Sequence, residues 1–160
     1  LPLAIYQDPR SYRLGNPRPR VFRLSSDRAI INRLGFNSAG HAAVHARLAG
    51  RPQGLGIVGV NVGANRDAAD RASDYVAGIH CFSEVAAYLT INVSSPNTPR
   101  LRDLQAPAQL DALLGRLAEA RQEQVAAGKP RRPIVVKLAP DIAEADLPGI
   151  VEVLVARAVH

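Results

Sequence analysis

Three short apolar runs, Leu55 to Val62 (LGIVGVNV), Ala87 to Val93 (AYLTINV) and Pro133 to Leu138 (PIVVKL), are separated by stretches of helical spacing. This alternation limits the fold more than any other feature. The runs have strand length and β-branched content without in-and-out alternation, the pattern of strands buried on both faces. Between the last two, Ala108 to Ala127 carries Leu110, Leu113, Leu114, Leu117 and Val125 on one stripe, with Asp111, Arg116, Glu119 and Glu123 mostly off it. Gly128 and Pro130 then stop that helix. A second helix is predicted over about Ala69 to Ala86, and a third from about Glu144 to the end, where Pro148 falls in the tolerant first turn.

Strands that recur with a helix between them make parallel βαβ units. Two architectures fit: an open doubly wound sheet, or part of a (β/α)8 TIM barrel. A complete barrel needs about 250 residues, so a chain of 160 holds about half of one. The Pro- and Arg-rich residues 1–24, which end in the short Val21 to Leu24 run, do not fit the repeat and read as an accessory arm or hairpin. Residues 25–160 carry the βα units, in a single incomplete domain.

Composition removes several classes. No apolar run approaches the roughly 18 residues of a membrane-spanning helix, and the first 20 residues, with Pro2, Pro9, Pro17 and Pro19 among charges, are unlike a signal peptide. The net charge of +6 comes from 18 Arg and only Lys129 and Lys137. The arginines are dispersed and aromatics make up 4%, so no basic platform for stacking bases is present and a nucleic-acid partner is not expected. The lone Cys81 has no partner for a disulfide or a CxxC metal site, which favours a reducing compartment and a packed helix face.

The chemistry-bearing residues follow the strands, where α/β sites form. Asn61, Gly63 and Asn65 in Asn61-Val62-Gly63-Ala64-Asn65 read in isolation as plain turn chemistry. Asn92 lies inside an apolar strand, where its amide must find partners or cost about 1–3 kcal/mol. Lys137, amid Ile134, Val135, Val136 and Leu138, reads as a functional cation ahead of a snorkelling surface lysine. No GxGxxG or GxxxxGKT loop is present, and Ser95 lacks a GxSxG elbow. His41 and His45 are four apart on a predicted short helix, but without a third ligand a solvated helix face is the better reading, and no metal is expected.

Four motifs, Asn32-Arg33-Leu34-Gly35-Phe36-Asn37, Gly59-Val60-Asn61-Val62-Gly63, Ile91-Asn92-Val93-Ser94-Ser95-Pro96-Asn97-Thr98-Pro99 and Val136-Lys137-Leu138-Ala139-Pro140-Asp141, resemble the dihydroorotate dehydrogenase family in order and spacing. The likeness runs from about Gly15 to His160. Ser95, where the soluble class carries cysteine, marks the quinone-dependent class 2. The resemblance implies a partial TIM barrel that uses FMN and a quinone to oxidise dihydroorotate to orotate in pyrimidine biosynthesis. It implies Ser95 as general base, with Thr98 and Phe36 assisting it. Asn32, Arg33, Leu34, Gly35, Phe36, Asn92 and Asn97 become substrate-binding residues, and Asn61, Asn92 and Lys137 flavin contacts.

The resemblance further implies a peripheral enzyme at the cytoplasmic face of a bacterial membrane, reached through N-terminal helices that lie outside this sequence. The opening strands and the flavin phosphate loops are likewise expected outside it, so the chain is expected to be an internal fragment, inactive alone. Two departures stand out: Arg100 where the family has glycine, and Ala64 where lysine is common. The alternatives are another FMN barrel, such as a dihydrouridine synthase or a dihydropyrimidine-type reductase, and a non-catalytic half-barrel relic.

Overall fold

A computed structural model of the chain describes the backbone of residues 4–6 and residues 17–35, 37–52, 54, 56–65, 68–95 and 100–159. In chain order its elements are β1 (Ala4–Tyr6), β2 (Val21–Leu24), β3 (Ala29–Asn32), α1 (His41–Ala49), β4 (Gly59–Val62), α2 (Arg71–Phe82), β5 (Tyr88–Asn92), α3 (Pro107–Ala126), β6 (Ile134–Lys137) and α4 (Leu147–Ala156). Single 3-10 turns at Arg102–Gln105 and Glu144–Asp146 lead into α3 and α4. β1, β4, β5 and β6 form one parallel sheet in that order, and β2 and β3 form a separate antiparallel hairpin. The parallel sheet is open, with β1 and β6 at its edges, so the described residues form part of a barrel and no closed one.

Register sorts the side chains. Val60, Leu89 and Ile134 are in line, as are Val62, Ile91 and Val136, and this face packs beneath the helices. The alternate positions, Asn61, Thr90 and Val135, then Asn92 and Lys137, fall on the opposite face. One face is therefore a hydrocarbon core, and the other is polar toward the ends of the strands.

The helices are held to the sheet by their apolar stripes and to one another by charge. α2 buries Tyr75, Gly78, Ile79 and Phe82, one face of a 3.6-residue repeat. Gly78 is required by close approach: a Cβ there would run into the side chain of Val62 on β4. Asp70 caps α2 by accepting from the Ala72 N–H at 3.0 Å, and Arg116 of α3 donates to both its oxygens at 2.9 and 2.8 Å. The Ser73 hydroxyl and Arg116 together hold the Asp70 carboxyl below its ordinary range. Arg157, just after α4, forks onto Asp111 of α3 at 2.6 and 2.7 Å and holds that carboxyl low in the same way. α3 ends in a Schellman turn, with Gly128 at φ 82 and N–H bonds from Gly128 to Val125 O and from Lys129 to Gln124 O.

Several expectations change. The first strand begins at Gly59 rather than Leu55, because only Gly59–Val62 find partners in β1 and β5. The expected arm boundary at residue 24 cuts through a hairpin whose second strand runs to Asn32, and residues 4–6 of that arm join the main sheet as β1. His41, expected on a solvated face, is buried edge-on against the Phe82 ring, with centroids 5.1 Å apart. Arg121 lies on the buried stripe of α3, where only apolar residues were expected. Among the described residues, no helix is long and apolar enough to cross a membrane, and no three potential ligands cluster as a metal site.

Candidate active site

The ends of β4, β5 and β6 bring together three of the residues singled out from sequence. Asn92 closes β5 directly beside Lys137, the last residue of β6. The Asn92 side-chain oxygen accepts both the Ser94 N–H at 3.1 Å and the Ser94 hydroxyl at 2.7 Å. Because a backbone N–H can only donate, this contact fixes the amide orientation and leaves the NH2 as the group Asn92 offers a ligand. Lys137 Nζ donates to the Ser94 oxygen at 2.6 Å, so the chain Lys137 to Ser94 to Asn92 runs in one donor direction. Asn92 is 5% exposed and Ser94 is buried, whereas Lys137, on an edge strand of the described sheet, is exposed. Its ammonium lies on the same face of the sheet as Asn61 and Asn92, against the Ser94 hydroxyl.

Asn61 is a strand residue and not part of a turn. It is 2% exposed, on the same face as Asn92, and its Oδ1 has no hydrogen-bond partner among the described residues. An acceptor left so in a low-dielectric setting costs about 1–3 kcal/mol, and an N–H donor on a ligand would remove that penalty.

Ser95, 6% exposed, follows directly. The carbonyl of the preceding Ser94 accepts from Arg102 Nε at 3.2 Å, and Arg102 Nη1 reaches Asp141 at 2.9 Å. Gln105, also buried, accepts from the Ala139 N–H at 2.7 Å. These two bridges tie the segment after β5 to the segment after β6, and neither was singled out from sequence. The signal for them was the three-residue spacing of Arg102 and Gln105, each directly after a leucine, in the approach to α3. Below them, an open cleft of about 440 Å³ separates the starts of α3 and α4, lined by Pro107, Ile142 and Ile150 among others.

The first motif is separate from this cluster. Asn32 ends β3, exposed, and its side chain accepts from the Leu34 N–H at 3.4 Å. Arg33 donates to the Pro19 carbonyl at 2.9 Å and lies 5.7 Å from the Phe22 ring centre. Leu34 is exposed and Gly35, at φ 71, holds a conformation that favours glycine. Phe36, Asn97 and Thr98 lie outside the described residues. Arg100 has φ 56, which gives a backbone reason for the glycine expected there.

A family model described as Dihydroorotate dehydrogenase matches residues 8–158, reaching further back than the expected start at Gly15. The chain is 57% identical over 136 residues to dihydroorotate dehydrogenase (quinone) of Brucella anthropi, a match covering 85% of this chain and 37% of that protein. It is 56% identical over 136 residues to the mitochondrial dihydroorotate dehydrogenase (quinone) of Cyclocybe aegerita, covering 85% of this chain and 42% of that one. Among solved structures, ligand-free DHODH from Eimeria tenella matches with a TM-score of 0.82 at 33% identity, over 97% of this chain and 48% of that one. The chain thus spans about two fifths of the length of the curated relatives it matches.

Proposed function

From the premise that the chain belongs to the dihydroorotate dehydrogenase family, we propose that the protein carrying it oxidises dihydroorotate to orotate, with FMN and a quinone as successive acceptors. The observation that carries this reading is the buried, unsatisfied oxygen of Asn61 beside the Lys137, Ser94 and Asn92 chain on one face of the sheet. These residues fit a flavin. Asn61 would accept from an N–H on the pyrimidine edge of its ring, and Lys137 would set a cation near the end that becomes negative on reduction. The NH2 of Asn92 would donate to flavin or substrate. When bound, FMN supplies the acceptor for the hydride that leaves C6 of dihydroorotate.

The chain's own work is then to hold the substrate and take the C5 proton as the C5–C6 double bond forms. Ser95 is assigned that proton. A serine hydroxyl is a weak base, so it must be held in place, and burial together with the Arg102 grip on the preceding carbonyl does this. Thr98 and Phe36 are assigned to support it. Asn32, Asn92 and Asn97 are assigned to the polar edges of the substrate, with Arg33, Leu34, Gly35 and Phe36 shaping the segment that carries Asn32. Electron transfer to a quinone and peripheral attachment at the cytoplasmic face of a membrane complete the reading.

The test is anaerobic mixing of the purified protein with dihydroorotate, following the flavin absorbance. Wild type should bleach. Ser95→Ala should retain its flavin and bleach about 10²–10⁴ times more slowly, the usual range for loss of a general base. A wild-type protein that holds no flavin overturns the reading; near-normal bleaching in the variant overturns only the role of Ser95.

A further inference from the structure

The ladder between β4 and β5 ends at the pair Val62 and Ile91, so the two strand ends carry no direct rung where the site begins. One side chain of α2 fills that gap. Tyr75 is fully buried, and its hydroxyl donates to the Asn92 backbone carbonyl at 2.9 Å. The Ala64 N–H faces the same phenol oxygen from the β4 side and opposes the upward pKa shift that burial imposes on the hydroxyl. The adjacent Asp74 accepts from the Asn65 N–H at 2.6 Å, so two consecutive residues of α2 grip the segment after β4.

Phenylalanine would fill the same volume. Packing alone therefore does not account for a hydroxyl here, and a buried hydroxyl is tolerated because it meets backbone groups on both sides. Those groups lie three residues after Asn61 and on Asn92 itself. Beyond the last rung of the ladder, the two strand ends thus meet at one oxygen atom.

We propose that Tyr75 is a positioning residue whose hydroxyl sets the spacing of Asn61 and Asn92 and thereby the grip of the site on its flavin. The inference rests on the flavin reading given above, but its structural half does not. A rung between Ala64 and Asn92 exists or fails whether or not FMN binds.

The experiment compares Tyr75→Phe with Ile79→Val in the protein as expressed from its natural gene. Ile79 is buried one turn further along α2, so its truncation loosens the same helix without touching the hydroxyl. Three quantities are read for each: thermal stability, hydrogen exchange at the Ala64 and Ser94 amides, and the dissociation constant for FMN by flavin absorbance. Both variants should lose some stability. Only Tyr75→Phe should speed exchange at Ala64 and raise the FMN dissociation constant, by about tenfold. Equal changes in FMN affinity in the two variants would reduce Tyr75 to a core residue and overturn the proposal. Unchanged Ala64 exchange in Tyr75→Phe would remove the rung itself. If wild type binds no FMN, the flavin reading and the claim about grip fall together, and the exchange result alone decides the rung.

Discussion

Gly78→Ala is expected to destabilise the protein by about 1–2 kcal/mol, although alanine is the better helix former by about 1 kcal/mol. The added methyl would meet both γ carbons of Val62, Cγ2 at 2.8 Å. Val62 is fully buried on β4, and β4 lies between β1 and β5, so the strand cannot retreat. Overpacking of this kind costs about 1–3 kcal/mol, and with two γ carbons in the way the upper part of that range applies. Val62→Ala alone should cost about 2–3 kcal/mol, as two methyl groups leave a closed core. The informative measurement is the double variant. Removing the γ carbons vacates the space the new methyl needs, so the pair should be less destabilised than the sum by at least about 1 kcal/mol. Urea unfolding of the four proteins with equal slopes gives the coupling directly. Additivity within about 0.5 kcal/mol would mean that α2 is not wedged against β4 at this point, and the argument from close approach would fail.

Arg100→Gly should stabilise by about 0.5 kcal/mol. An L residue in the left-handed region costs about 1–2 kcal/mol, part of which is offset by the greater unfolded-state freedom of glycine and by the lost surface pair with Asp103. A lower Tm for the glycine variant would refute the assignment of strain. The pairs at Asp70 and Asp111 should shape the acid limb of stability. Both carboxyls are held below their ordinary value in the folded state, so their contribution is complete above about pH 4 and disappears as pH falls through the lowered values. Asp111→Asn should flatten that limb, and an unchanged loss as pH falls below about 4 would show that the Arg157 fork contributes nothing.

The parallel βαβ order was legible because β-branched runs and 3.6-residue stripes are local signals; β4, β5, β6 and α2 lie within them, and α3 starts one residue earlier. What the local pattern could not show was pairing. Ala4–Tyr6 is three residues long among prolines, and it is a strand only because β4 offers an edge beside it. Val58 has the composition of the strand that follows it, but it gains only a single bond, from the Ala87 N–H to its carbonyl at 2.8 Å, and no place in the ladder. Arg121 broke the stripe rule in the other direction, since its long stem lets a charged residue occupy a buried position of α3.

The site was half legible for a related reason. Asn92 drew attention because an amide inside an apolar run must be satisfied, and the structure satisfies it locally through Ser94. Asn61 carried the same chemistry but stood next to glycine, where a turn explained it equally well; its burial and open acceptor follow from the pairing of β4 on both sides. Lys137 reverses the case. Its neighbours suggested enclosure, yet alternation along β6 sends Ile134 and Val136 to the core face and Lys137 to the other, as Asn92 and Asn61 are sent on their strands. Period two thus does what composition could not. It gathers Asn61, Asn92 and Lys137 from three apolar strands onto a common face, and a residue one position earlier or later on any of them would have been delivered to the core.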